Sequence, residues 1–370
     1  MRVTIERSAF LKALTHVQSV VERRNTIPIL SNVLLQAGDG QLKLTATDLD
    51  IEIVESVAAE VGQSGATTVP AHMLYDIVRK LPDGAQLEID QAGDGQRVAI
   101  FAGKSRFALQ ALPHEDFPDL ATGEFPNRFE IKATDLKGLV EKTRFAISTE
   151  ETRYYLNGIY LHEVAAGNML RAVATDGHRL AQAQIARPEG AKGMPGVIVP
   201  RKTVLEVVKL FETVDGNVEV ALSASKIRFA AGDLVLTSKL IDGTFPDYER
   251  VIPRNNDKKL EIDTKTFASA VDRVSTISME KGRAVKLQIG SGKLILTVNN
   301  PDSGSAEEEL SCEYEADPID IGFNSRYLMD VAGQVKSDTM TFQLADAGSP
   351  TIVRDPNDEQ ALYVLMPMRV

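Results

Sequence analysis

The sequence has 370 residues and a single cysteine, Cys312. One thiol can form no intramolecular disulfide and no Cys-based metal cage. Such sparing use of cysteine suits a reducing compartment. The five histidines, at 16, 72, 114, 162 and 178, show no metal-ligand spacing. No run approaches the ~18 apolar residues that a membrane span needs. The opening Met1-Arg2-Val3-Thr4-Ile5-Glu6-Arg7 lacks the apolar stretch of a signal peptide. The expectation is a cytoplasmic protein with no membrane partner. Also missing are a G-x-S-x-G nucleophile string, a P-loop and a G-x-G-x-x-G following a strand. Asp176 and His178 could be read as an acid-base pair, but Asp-Gly is a turn signal, and side chains two apart on a turn need not meet. No catalytic residue, cofactor or metal is therefore expected.

What is present is an ordinary globular composition, with 43% hydrophobic and 25% charged residues. Repeats organise it. Three segments open alike: Val3-Thr4-Ile5-Glu6 before Ala9-Phe10-Leu11, Phe129-Glu130-Ile131-Lys132 before Asp135-Leu136-Lys137, and Leu260-Glu261-Ile262-Asp263 before Thr266-Phe267-Ala268. Ile5, Ile131 and Ile262 stand 126 and 131 residues apart. Ala46-Thr47-Asp48-Leu49 returns as Ala174-Thr175-Asp176-Gly177 after 128 residues, Val69-Pro70 as Val199-Pro200 after 130, and Phe117-Pro118-Asp119 as Phe245-Pro246-Asp247 after 128. Turn formers cluster near 123–128 and 253–258. Three domains follow, at 1–124, 125–254 and 255–370, each large enough for its own core.

Each domain reads as two halves, in which a strand leads into an amphipathic helix and then into β-hairpins. In the first helix Phe10, Leu14, Val17 and Val21 share one face, and Lys12, His16, Ser19 and Arg23 the other. The helix after Pro200 is expected to bury Val204, Val207, Val208 and Phe211 and to expose Lys202, Glu206 and Lys209. Val218-Glu219-Val220 and Leu87-Glu88-Ile89 alternate as strands do. Gly38-Asp39-Gly40, Asp94-Gly95 and Gly290-Ser291-Gly292 mark hairpin turns. The expected class is α+β, with helices on one face of antiparallel sheets.

The net charge of −11 argues by itself against nucleic acid, whose phosphates need Lys and Arg. Its distribution reverses that reading. Six helix windows, at 7–24, 71–81, 133–148, 201–212, 264–283 and 324–337, hold 18 Lys and Arg against 9 Asp and Glu. They carry a net +9, and the remainder −20. A ring accounts for this split. Twelve helices from six domains, packed about 8–10 Å apart, would enclose an opening of roughly 20–28 Å. That admits a duplex, with basic helices toward the phosphates and an acidic exterior. Two chains of three domains would close it about a two-fold axis. Phosphate contacts carry no sequence information, so such a ring could slide.

The whole chain resembles the bacterial sliding-clamp family, the β subunit of replicative DNA polymerase. The most specific strings are Arg153-Tyr154-Tyr155-Leu156-Asn157-Gly158, Ala174-Thr175-Asp176-Gly177-His178-Arg179-Leu180, Phe245-Pro246-Asp247-Tyr248, Ile321-Gly322-Phe323-Asn324 and Met366-Pro367-Met368-Arg369. Pro28-Ile29-Leu30-Ser31-Asn32 and Thr47-Asp48-Leu49 add the first domain. The resemblance implies the DNA-clamp fold: three similar domains of two β-α-β-β-β halves each, helices lining a ring and sheets outside. It implies a head-to-tail homodimer around double-stranded DNA, bound without regard to sequence. It also implies a pocket between domains two and three for a short peptide with Gln and apolar anchors. Such peptides occur in the polymerase α subunit, other polymerases and the clamp loader. By motif match the pocket uses Leu156, Thr175, Gly177, His178, Arg179, Leu180, Pro246, Arg250 and Val251, with Asn324, Tyr327, Val364, Met366, Pro367, Met368 and Arg369. Ala347-Gly348-Ser349-Pro350 departs from the usual pattern, which leaves the far end of the pocket open. For DNA the match points to Arg24, Arg153, Tyr154 and Lys202, and to His72, where the family often has a basic residue. Dimer contacts would fall on Phe107 and Leu109, meeting Thr276 and Ile277.

Two other readings remain at this point. An enzyme would need His178 for turnover. A triplicated scaffold that binds only proteins would share the repeats and the pocket but would not need basic helices.

Overall fold

The computed structural model describes residues 1–91, 95–278 and 283–370. Asp94 of the expected Asp94-Gly95 turn and residues 279–282 of the fifth helix window lie outside the described residues. Six α-helices occupy the remaining windows: α1 (Arg7–Val17), α2 (Ala71–Lys80), α3 (Ala133–Glu141), α4 (Arg201–Phe211), α5 (Thr264–Ser275) and α6 (Ser325–Ala332).

The three opening segments form the strands Arg2–Glu6, Asn127–Lys132 and Lys258–Asp263, each running straight into a helix. Ile5, Ile131 and Ile262 are buried. Two of these junctions carry an acidic cap. A Glu6 carboxylate oxygen accepts from Ser8 and Ala9 N–H, and Asp263 from Thr266 N–H. Each satisfies donors that the helix itself cannot. Hydrogen bonds from the Ser8 and Thr266 side chains, and then from these backbone N–H groups, hold the Glu6 and Asp263 carboxyls below the ordinary range.

The chain folds into two compact units. The first comprises Met1–Thr134, Pro188–Met194 and Leu205–Leu240, and the second the rest. The first unit holds a five-stranded sheet, in the order 60–63, 2–6, 86–90, 97–102, 105–110. Its eight-stranded sheet runs 127–132, 217–222, 226–231, 234–239, 51–58, 41–47, 32–38, 65–70. In the second unit an eight-stranded sheet runs 197–200, 158–164, 169–175, 179–186, 361–365, 351–354, 339–344, 258–263. Its four-stranded sheet runs 304–311, 293–300, 284–290, 319–324. Neighbouring strands pair antiparallel throughout, as the α+β reading requires.

Each eight-stranded sheet crosses a repeat boundary. Strand 234–239 pairs with 51–58, Leu236 opposite Ile53. Strand 179–186 pairs with 361–365, Leu180 opposite Val364. Ladder hydrogen bonds join successive repeats, which is why three sequence repeats appear as two units.

The signals at Gly38-Asp39-Gly40 and Gly290-Ser291-Gly292 act as read. Gly38 faces Gln41 across Asp39 and Gly40, both at positive φ (50° and 72°), the geometry whose twist suits a two-residue hairpin. The alternation in Leu87-Glu88-Ile89 appears as buried, exposed, buried. In α1 the residues Phe10, Leu14 and Val17 are fully buried, and Val21 is buried just past its end. Two helix faces differ from expectation. His16 does not face solvent but bonds Glu55 of strand 51–58 at 2.7 Å. In α4 the buried stripe is Thr203, Val204, Val207, Leu210 and Phe211, leaving Val208 half-buried and Leu205 exposed. Thr203 lies on that stripe because 3.6 residues per turn place it in line with Val207 and Leu210. Lys202 and Glu206 are half-buried, whereas Lys209 is exposed.

Some helix cations are spent internally. Arg7 ion-pairs with Asp83 and donates to the carbonyls of Val78 and Arg79 at 3.2 and 2.8 Å, tying the start of α1 to the last turn of α2. Lys142 pairs with Asp358 at 2.5 Å, and Arg273 with Glu308 at 2.5 Å. Lys12, Arg23, Arg24, Arg79, Arg144, Arg201, Lys265 and Arg326 remain exposed. Among the described residues, no helix is long and apolar enough to cross a membrane.

Candidate functional site

The site grows from one turn. Thr175 Oγ1 donates to Arg179 carbonyl at 2.7 Å and accepts from Gly177 N–H at 3.1 Å. Asp176 Oδ1 accepts from His178 and Arg179 N–H at 2.9 and 3.0 Å. The first repeat builds the same turn: Thr47 Oγ1 to Ile51 carbonyl, Leu49 N–H to Thr47, and Asp50 and Ile51 N–H to Asp48. Its third position has positive φ in both copies, 78° at Leu49 and 89° at Gly177. Only the second copy carries glycine there. A Cβ on Gly177 would stand 2.6 Å from Arg153 Nη1. The glycine thus lets the Arg153 guanidinium lie across the turn, with Glu150 holding its Nη2 from the far side at 2.7 Å. The Asp176 carboxylate is occupied by backbone donors and by Arg179, which leaves it no acid-base role with His178.

Arg179 follows the turn and is 7% exposed. Its Nε donates to Asp176 at 3.1 Å, Nη1 to Asp330 at 2.5 Å, and Nη2 to Phe145 carbonyl at 2.6 Å. The guanidinium carbon lies 4.3 Å from the centre of the Tyr327 ring and 5.2 Å from that of Phe145. A buried cation with two carboxylates, a carbonyl and two ring faces has its charge compensated.

Arg179 is a partition between two cavities. On one side lies a cavity of about 290 Å³. Leu156, Leu180, Val251, Val364 and Met366 give it apolar walls; Thr175, Gly177 and Pro246 complete the expected set that lines it. It sits on a core that includes Val173, Ile198, Phe245, Ile352 and Leu362. Val251 and Met366 are exposed apolar residues at its rim. On the other side a polar cavity of about 330 Å³ is lined by His178, Tyr327, Arg144, Arg201, Arg326 and Asp330, among others. Burial pushes the Tyr327 phenol up.

The remaining expected pocket residues line neither cavity. Arg250 is exposed and pairs with Asp247 at 2.7 Å. Asn324 caps α6, accepting from Arg326 N–H at 2.9 Å. Met368 N–H donates to Gly322 carbonyl at 2.8 Å, so the tail Pro367-Met368-Arg369 runs beside strand 319–324. A Cβ on Gly322 would meet Met368 carbonyl at 2.6 Å, which explains glycine in that strand. Tyr155, Asp247 and Tyr248, which the motif match does not name, are also wall residues. All three stand inside the strings that carried the resemblance; what hid them is that neighbours on a turn divide between wall and surface by geometry. Arg153, assigned to DNA, also lines the apolar cavity.

Of the other DNA candidates, Arg24 and Tyr154 are exposed and Lys202 is half-buried. His72 is half-buried, with Nε2 2.8 Å from Val21 carbonyl, so that nitrogen is a donor held by the backbone. Phe107 and Leu109 lie on strand 105–110 at the edge of the five-stranded sheet. Phe107 is half-buried and Leu109 buried. Thr276 is exposed at the end of α5, and the Ile277 carbonyl accepts from Asn300 at 2.9 Å.

Three family models cover the chain in order: DNA polymerase III beta subunit N-terminal domain over residues 1–121, central domain over 130–247 and C-terminal domain over 249–369. The chain is 55% identical to the beta sliding clamp of Caulobacter vibrioides and 41% identical to that of Escherichia coli K12, covering 100% of each protein and of itself. A crystal structure of the sliding clamp from Bartonella birtlesii, bound to griselimycin, shares 57% identity and superposes with a TM-score of 0.97 over 100% of both chains. With three family models in order along its length and relatives matched from end to end, the chain belongs to the DNA polymerase III beta subunit family of bacterial sliding clamps.

Proposed function

We propose that two copies of this chain close head to tail into a ring around double-stranded DNA, slide on it without reading sequence, and tether replication proteins. The partners are the polymerase α subunit, other polymerases and the clamp loader. The protein is a non-catalytic accessory subunit, and its working place is the cytoplasm. The observation that carries the reading is an open apolar cavity on a chain collinear from end to end with sliding clamps. Its division into domains at 1–124, 125–254 and 255–370 is supported by the recurring strand-to-helix openings.

The cavity is the seat of the peptide's apolar anchors. Leu156, Leu180, Val364 and Met366 supply contact, and Met366 adapts to several partners because its side chain is unbranched and polarizable. Thr175, Arg179 and the neighbouring polar cavity with His178 and Tyr327 give direction. Asn324, Arg250 and the tail Pro367-Met368-Arg369 flank the entrance. Arg24, Arg153, Tyr154, Lys202 and, less directly, His72 face phosphate; Arg153 serves the cavity as well. Strand 105–110 leaves one edge unpaired in its sheet among the described residues, and so does strand 304–311. Pairing these edges between two copies would place Phe107 near Thr276 and Ile277 of the other copy and leave no free edge at the joint.

The test is topological. Protein loaded on nicked circular DNA is expected to survive a high-salt wash and to run off once the circle is cut. Equal retention on both forms means binding by affinity alone and defeats the ring. A protein-only scaffold would be retained on neither.

A further inference from the structure

We infer that His162 is a positioning residue for the peptide cavity: in its neutral form it holds Tyr248, and hence that cavity wall, in place. This rests on the peptide-binding reading above. His162 itself lines neither of the two cavities beside Arg179. It sits on strand 158–164, directly across from Arg171 of strand 169–175.

The hydrogen bonds fix the protons. Nδ1 of His162 lies 3.0 Å from Glu163 carbonyl, which can only accept, so Nδ1 carries hydrogen. Nε2 lies 2.9 Å from Tyr248 Oη. In a neutral ring Nε2 is bare, so it must accept, and Tyr248 donates to it. Arg171 Nη1 donates to the same Tyr248 oxygen at 2.8 Å and to Glu249 at 3.0 Å. The tyrosine is thus held at both its donor and its acceptor.

Packing holds the ring as firmly. Tyr160 stacks on His162 at 4.6 Å and on Phe245 at 4.9 Å, the latter pair only 7° from parallel. Tyr248 then meets Phe245 edge-on at 6.4 Å. Gly196 leaves room for this stack, since a Cβ there would fall 2.2 Å from Tyr160 Oη. Tyr248 is the member that reaches the cavity.

Protonation of Nε2 would turn an acceptor into a donor. Tyr248 would then face two donors, and its own hydrogen would lose its partner. The charged and titratable groups facing the ring are Arg171 and Glu249, with the phenols of Tyr160 and Tyr248; the Glu163 carboxylate is engaged by Arg187. Burial, then the Arg171 charge, hold His162 below its ordinary value of 6.5, against pulls upward from Glu163 carbonyl and Glu249. A base with a depressed folded value favours the closed network above its ordinary value and loses it as pH falls through the depressed one. Cavity affinity should follow the same course.

The experiment is fluorescence anisotropy of a labelled short peptide carrying Gln and apolar anchors, titrated with the full chain from about pH 8 to about pH 5.5. Wild type is expected to weaken on acidification, roughly five-fold, as one lost hydrogen bond implies. His162→Gln keeps an acceptor that does not titrate, so it should bind as wild type at high pH and stay nearly flat. His162→Phe keeps the stack without the acceptor and should be weaker at every pH. His178 is present in all three, so differences between them report His162. A His162→Gln curve that tracks wild type overturns the inference, and so does full affinity of folded His162→Phe at high pH. Should His162→Phe not fold, by circular dichroism, the comparison with His162→Gln still decides. A wild-type chain that binds no peptide at any pH instead overturns the peptide-binding reading.

Discussion

Replacing Arg179 by Met keeps most of the side-chain volume and removes the guanidinium. Three hydrogen bonds are lost, to Asp176, Asp330 and Phe145 carbonyl. Two ring contacts go with them, over Tyr327 and Phe145. Removing one partner of a buried ion pair costs about 3–5 kcal/mol, because the other charge stays uncompensated. Here Asp176 retains its backbone donors, and the Asp330 side chain is 31% exposed and can rehydrate in part. The low end, about 3 kcal/mol, is therefore expected. For a unit of this size that is a fall of roughly 6–12 °C in the melting transition that reports the second unit. Differential scanning calorimetry reads it, with two transitions fitted because a chain of two units need not unfold in one step. Arg179→Lys keeps the charge but not the planar fork, so it should recover less than half of the loss. In the Arg179→Met background, Asp330→Asn should cost less than in wild type, since its partner is already gone. A drop below about 1 kcal/mol for Arg179→Met would mean that water replaces the guanidinium freely, and the partition between the cavities would not depend on it.

Three further outcomes follow from local geometry. Gly177→Ala should cost about 1–2 kcal/mol in backbone strain at φ 89° and should weaken peptide binding by displacing Arg153, read by calorimetry and anisotropy together. Gly158→Ala would drive a methyl to 2.2 Å from Val199 carbonyl, and a loss of about 3 kcal/mol with a lower melting point is expected; an unchanged melting point would show that strand 197–200 can shift without cost. Burial holds the Glu52 carboxyl above its ordinary value of 4.5, although it accepts from Leu120 N–H at 3.1 Å. A raised folded value gives stability that is whole below 4.5 and lost as pH rises through that raised value, so Glu52→Gln should be the more stable form at neutral pH, with the gap closing on acidification. Urea midpoints at several pH values check this, and a gap that widens toward acid contradicts it.

The sequence alone determined much of this protein. Local rules were enough for the strand-to-helix openings, for the Asp39-Gly40 hairpin, for the six helix positions and for the turn at 175–179, because each depends on neighbours within a few residues. It also held the repeat, since duplicated modules keep their landmarks. Helix faces were legible to within a residue: Phe10, Leu14 and Val17 are buried as their spacing requires, whereas Val208 yields its place to Leu210. Charge totals were less informative, because a cation's partner is a long-range fact. Arg7 is consumed by Asp83 and His16 by Glu55, 76 and 39 residues away. The cavity was named in large part by motif and built only by the fold. Leu180 meets Val364 because two strands 184 positions apart pair in that register. Tyr248 becomes a wall because His162 and Arg171, on another hairpin, hold its hydroxyl. Short-range pattern fixes which way a residue can point; only the pairing of distant strands decides what it meets.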